Sequence, residues 1–238
     1  MRYDAAKTSV RLADEQRGVS MRESFHEELN RLRTELRRMC ALTAEAIRRA
    51  SRSLLTADLD LAEQVIAADA EIDWARADCE SQAQALLALQ APKAHDLRAI
   101  LAAIYCAERF ERMGDLAAHI AGITRFAHPS CAVPVELEPA FAEMGGAAAG
   151  MADRLAELIA RECACGFADL AETDQTIDTV RARVLALITS DQWPHGVQAA
   201  INLALLARFY ERFGDQAVAV ANRLGFVETG ELPFHTHT

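Results

Sequence analysis

Rings, turn residues and positive charge are all in short supply in this chain. Phe, Tyr and Trp make up 6% of its 238 residues, with only 11 Gly and 6 Pro. So few aromatics and turn formers do not furnish the strands and tight turns of a β-sandwich. Six cysteines are present, yet none forms a CxxC pair, so zinc-ribbon and thioredoxin-like readings lack their motif. Cys40, Cys79 and Cys106 are expected to behave as small buried hydrophobes, while Cys163 and Cys165, either side of one alanine, match no standard ligand spacing. Lys and Arg number 25 against 35 Asp and Glu, a net charge of −10, which argues against a nucleic-acid partner. The longest apolar runs, Ala99–Ala107 and Ala199–Ala207, fall far short of the roughly 20 residues of a membrane span, and no membrane insertion is expected. The first twenty residues lack the apolar centre of a secretory signal. They read as a disordered arm, with Met21 as an alternative start, and the protein is expected in the cytoplasm.

What the chain does have is helix. Hydrophobic residues make up 51%, much of it alanine, and Leu, Arg and Glu are frequent. These residues lose little side-chain freedom in a helix. Apolar positions step by three and four through Phe25, Leu29, Leu32, Leu36 and Met39 and on to Leu54, a helix that packs on other helices. A second helix is expected from Asp58 to about Leu89, ended before Pro92, and a third from a cap at Asp96 to about Arg125. Pro129, Pro134 and Pro139 mark a linker. A fourth helix follows, closed by Gly166, then a fifth over about Phe167–Ile188 and a sixth from Gly196 to Leu224. A tail begins at Gly225, and its His235 and His237 are read as solvated. The predicted fold is all-α: two tandem three-helix bundles related by internal duplication, with an arm at 1–20, units at 21–128 and 139–224, a linker at 129–138 and a tail at 225–238.

The duplication is visible in the residues. Glu111-Arg112-Met113-Gly114-Asp115 returns as Glu211-Arg212-Phe213-Gly214-Asp215, 100 positions later. Upstream, Asp69 and Asp73 match Asp174 and Asp178 at an offset of 105. Extending the third-helix stripe from Leu97, Leu101 and Ile104 brings Glu108, Glu111 and Asp115 onto or beside the expected core seam; Arg208, Glu211 and Asp215 repeat this in the sixth helix. Carboxylates on an apolar face cost several kcal/mol unless paired or metal-bound. Residues four apart stack on one helix face, so each pair aims two carboxylates at one point. Hard oxygen donors suit magnesium, manganese or iron. An ion-pair network with Arg112, Arg208 and Arg212 is the alternative. Gly114 and Gly214 each cost about 1 kcal/mol in a helix interior, and that repeated cost points to close helix approach or to access to a site.

At these residues the chain resembles the PhoU family of phosphate-transport regulators. Besides the duplicated E-R-x-G-D, Phe25-His26-Glu27-Glu28-Leu29 is similar to that family's opening F-x-x-E-L. Pro92-Lys93-Ala94-His95-Asp96-Leu97-Arg98 is similar to its P-x-A-x-D-L-R segment. The resemblance spans about Met21 to Leu224. It implies a pair of three-helix bundles that bind metal ions (iron, zinc, manganese or magnesium). The implied ligands here are Asp69, Asp73, Glu111, Asp115, Asp174, Asp178, Glu211 and Asp215, with Glu108, His119, Arg112 and Arg212 as auxiliary candidates. The family commonly has Asn four residues after the motif aspartate; His119 and Ala219 stand there in this chain, so the second site is expected to be weaker or absent. The resemblance further implies a non-enzymatic dimer that links the ATPase subunit of the phosphate ABC transporter to a sensor histidine kinase and represses the phosphate-starvation response. The other readings are a carboxylate-bridged metalloenzyme and a metal-free helical scaffold. Ferritin-like di-iron sites place Glu-x-x-His on two helices, and this chain does not carry that pair.

Overall fold

Helix α1 (Arg2–Thr56) turns into α2 (Leu59–Leu89), and α3 (His95–Ala127) completes a first group of three. A short 3-10 turn at Val135–Leu137 leads into α4 (Glu138–Arg161), α5 (Phe167–Ile188) and α6 (Gly196–Thr229). The computed structural model describes residues 2–89, 92–161 and 167–231, with side chains over 24–88, 92–160 and 169–231. Among the described residues there is no strand. Helices α1, α2 and α3 pack on one another, as do α4, α5 and α6, and the two bundles meet through α1 against α4 and α3 against α6. The chain is therefore all-α, with two tandem three-helix bundles related by internal duplication.

Helices α3 and α6 run antiparallel. Arg98 reaches Val227, Arg109 reaches Gln216 and His119 stacks on Phe209, so positions rising along one helix meet positions falling along the other. The largest fully buried side chains of the core include Met39, Ile47, Phe110, Met113, Ile120, Phe141, Tyr210 and Phe213. One polar pair lies inside it: the Ser51 hydroxyl of α1 and the Tyr210 hydroxyl of α6 are 2.9 Å apart. Burial pushes the Cys40, Cys79 and Cys106 thiols up to about 12, as expected for inert core cysteines.

Several local expectations change. The backbone of α1 starts at Arg2, in place of the disordered arm expected over 1–20. That stretch has no proline and several good helix formers, and extending an existing helix avoids the cost of nucleation. Asp58 caps α2, accepting the Leu61 N–H at 2.9 Å. Asp96 does not cap α3. Ala94 holds the cap position, at a left-handed φ of 46°, and Asp96 sits in the first turn, where a negative charge complements the helix dipole. Val133 and Leu137 are buried, so the 129–138 connection is anchored to the core. Helix α6 passes through Gly225 and ends at Thr229, with Gly230 at φ 74° closing it. Packing overrides the glycine there: Val227 is buried and its carbonyl accepts two hydrogen bonds from Arg98. Gly166, Cys163, Cys165, His235 and His237 lie outside the described residues.

The expected seam of α3 and α6 is also displaced. Leu97 and Leu101 are 37% and 48% exposed, Val197 and Ile201 are 76% and 49% exposed, and Glu108 and Arg208 face outward. The buried arc of α3 instead carries Ile100, Ala103, Ala107, Phe110 and Ala117. Both helices are so rich in Ala, Leu and Ile that two apolar stripes run along each, and periodicity alone does not choose between them.

Candidate metal centres

Asp69 and Asp73 stand one turn apart on α2, and Glu111 and Asp115 one turn apart on α3. The structure brings these four acids into electrostatic contact. The Asp69 carboxyl is pushed up to about 6, first by burial and then by Asp115, Asp73 and Glu111. Glu111 is raised by burial and by Asp115, with Arg112 and Arg76 opposing. Among the described residues no Lys or Arg makes an ion pair with Asp69, Asp73 or Asp115. The second bundle repeats the arrangement. Asp174 is pushed up to about 6 by burial, then by Asp215, Asp178 and Glu211. Asp215 is raised by burial and Glu211, against Arg208 and Arg212.

The helical glycines have a structural reason. A Cβ on Gly114 would lie 3.0 Å from Asp69 Oδ1 and 2.8 Å from Ile72 Cδ1. A Cβ on Gly214 would collide with Asp174 Oδ1. Each missing side chain lets an aspartate of the neighbouring helix lie against the α3 or α6 backbone beside the Glu/Asp pair. Those Asp–Gly contacts hold the second acidic pair close to the first, which spacing along one helix does not reveal.

The clusters differ in their cations. Glu211 is almost fully buried, ion-paired to Arg208 on its own helix and 3.7 Å from Arg181 on α5. Glu111 has only Arg112 at 3.9 Å as an ion-pair partner. Position 108, the repeat counterpart of Arg208, is an exposed glutamate. The first cluster is thus the more negative of the two. His119 stacks on Phe209, ring centroids 5.2 Å apart, and Arg112 and Arg212 are exposed at the cluster edges. Arg76 and Arg181 were not singled out from the sequence. They share the 105-residue offset of the aspartates, and carrying the repeat one turn further along α2 and α5 exposes them.

Among the described residues no three His, Cys, Asp or Glu side chains converge tightly enough to hold an ion as they stand. The donor set nevertheless fits a hard cation at the first cluster. It offers carboxylate oxygens only, a half-buried aspartate without a counter-charge, and a backbone cradle that a Cβ would fill. At the second cluster the fit is poorer, because two arginines already occupy Glu211.

The PhoU domain model matches residues 36–124, the first bundle. A phosphate-specific transport system accessory protein of Mycobacterium tuberculosis, PhoU homolog 2, is 43% identical over 90% of this chain and 100% of its own length. The chain belongs to the PhoU family. PhoU homolog 1 of the same organism is 40% identical over 90% of this chain and 96% of its own length. Among solved structures, the PhoU phosphate transport regulatory protein of Streptococcus pneumoniae superposes with a TM-score of 0.79 at 25% identity, covering 88% of this chain and 99% of that one. PhoU of Pseudomonas aeruginosa gives 0.77 at 24% identity, covering 87% and 100%, and shares the fold. Membership in this family makes the chain a regulatory or accessory protein of phosphate transport. No helix among the described residues is long and apolar enough to cross a membrane.

Proposed function

We propose that this protein is a non-enzymatic, metal-binding adaptor that works in the cytoplasm as a homodimer. It couples the ATPase subunit of a phosphate ABC transporter to a sensor histidine kinase and holds the phosphate-starvation response off when phosphate is ample. Membership of the PhoU family supports the transport link, and the duplicated acidic clusters support the metal-binding part. The observation that carries the latter is the Asp69–Asp73–Glu111–Asp115 group, four acids with a single arginine ion-paired to them among the described residues, seated against Gly114. Asp69, Asp73, Glu111 and Asp115 would hold iron, zinc, manganese or magnesium in the first bundle, and Asp174, Asp178, Glu211 and Asp215 in the second. An ion there would supply the positive charge that no Lys or Arg among the described residues gives Asp69, Asp73 or Asp115 by an ion pair. For the second group an ion-pair network is the competing reading, favoured by Arg181 and Arg208 on Glu211.

Two measurements test this reading. Elemental analysis after native purification is expected to find metal that falls in a Glu111→Ala/Asp115→Ala variant; unchanged metal content in that variant refutes the ligand set. A native pull-down in high and low phosphate is expected to recover the transporter ATPase and a sensor kinase. Normal repression of phosphate-starvation genes after deletion, with no related copy compensating, refutes the adaptor role.

A further inference from the structure

Three arginines collect where the start of α3 meets the end of α6. The Arg223 guanidinium lies 4.2 Å and the Arg109 guanidinium 4.7 Å from the Tyr105 ring centroid. Arg98 and Arg223 lie 6.0 and 5.8 Å from the Phe226 ring. All three arginines are part-exposed, and among the described residues none forms an ion pair with a carboxylate. Elsewhere in this chain of net charge −10, Arg38, Arg48, Arg154 and Arg183 all hold acids. Some donors are in use: Arg98 donates to the Val227 carbonyl and Arg109 to Gln216 Oε1 at 2.8 Å. Arg223 makes no hydrogen bond among the described residues, and Arg109 Nε is buried without a partner.

The repeat shows that this cluster belongs to one end only. One hundred positions on, Arg98, Tyr105 and Arg109 become Gln198, Leu205 and Phe209; one hundred positions back, Arg223 becomes Ile123. The common three-helix fold therefore does not need these arginines, since the other bundle packs without them.

The geometry points to a docking surface here for an acidic, amphipathic segment of a partner protein. Arg98 and Arg109 are eleven residues apart, about 16 Å along the helix, so one small oxyanion cannot engage all three guanidiniums. Carboxylates spread along a helix or strand match such a stripe. Leu101 and Leu97, exposed on the same α3 segment, supply the apolar contacts such a segment would bury. A nucleic acid fits less well, because guanidiniums already cover Tyr105 where a base would stack and the overall charge repels phosphates. The surface stands whether or not the acidic clusters hold metal.

Fluorescence anisotropy tests it on the full chain. The probe is a labelled sixteen-residue peptide of Glu, Leu and Ala patterned as an acidic amphipathic helix; the control carries Lys in place of Glu. The expected result is salt-sensitive binding of the Glu peptide that weakens at least about ten-fold in Arg109→Gln/Arg223→Gln. Leu101→Ser, at a half-exposed position, should also weaken it, with a melting curve to check that the variant stays folded. Binding of the Lys peptide alone, or equal binding of the Glu peptide by wild type and both variants, overturns the proposal. So does an oligothymidine that binds as tightly as the Glu peptide and is lost in the same double variant.

Discussion

Asp69 and Asp174 are half-buried carboxyls whose nearest charged neighbours are mostly other carboxyls. Their folded values near 6 stand above the ordinary 3.8, so the native chain binds more protons than the unfolded chain between those limits. The stability tied to these groups is full below about pH 4 and is lost as pH rises through about 6. Metal-free protein is therefore expected to melt at higher temperature at about pH 5.5 than at pH 7.5, and Asp69→Asn should remove part of that difference. Solvent screening limits the effect to the order of 1 kcal/mol per group. Melting curves across this range check it; a wild-type melting temperature that rises with pH contradicts it. At Tyr210 the buried hydroxyl pairs with Ser51, and its repeat counterpart is Phe110. Tyr210→Phe keeps the ring but strands the serine hydroxyl, and a loss of about 1–2 kcal/mol in denaturant titration is expected.

At the scale of helices, Gly145 sets how closely α4 approaches α1. A Cβ there would lie 2.7 Å from Ser51 Oγ and 2.8 Å from Ser51 Cβ. Because the serine Cβ is fixed to the α1 backbone, the helices must separate. Gly145→Ala is expected to destabilise by about 1–3 kcal/mol despite the better helix propensity of alanine, again read by denaturant titration. Much of this level was legible in the sequence: α5 spans Phe167–Ile188, as the flanking Gly166 and Trp193-Pro194 lead one to expect, and α2 begins within a residue of its expected start. The exposed face of α3 was not. Leu97 and Leu101 look like core residues in a chain with two apolar stripes, and only packing against α1, α2 and α6 selects Ile100 and Phe110. The acidic pairs could be read from the E-R-x-G-D repeat, but the contact of Gly114 with Asp69 joins residues 45 apart and exists only once α2 lies on α3. Of the two arginines on Glu211, Arg208 was legible as a candidate ion-pair partner, whereas Arg181 stayed hidden for a similar reason, since it arrives from another helix.

Over the whole molecule, duplication has produced two similar clusters with unequal charge. Glu108 in the first bundle answers to Arg208 in the second, a difference of two charge units at matched positions. If the adaptor reading holds, manganese or zinc titrated into metal-free protein should fill the first cluster first. Arg208→Glu should then tighten the second step by about ten-fold or more, since removing a cation and adding an acid favours a bound divalent ion. Isothermal titration calorimetry resolves the steps; identical curves for wild type and variant count against metal at the second cluster.

The antiparallel pairing of α3 with α6 has a consequence for how any partner meets that face. The duplication gives each helix of this antiparallel pair its own acidic motif, Glu111 and Asp115 on α3 and Glu211 and Asp215 on α6. A partner reading only those acids would meet the same motif running in two opposite directions. The Arg98–Arg109–Arg223 end has no counterpart in the repeat. It gives the face a head and a tail, so that a long partner laid along it has one way to lie.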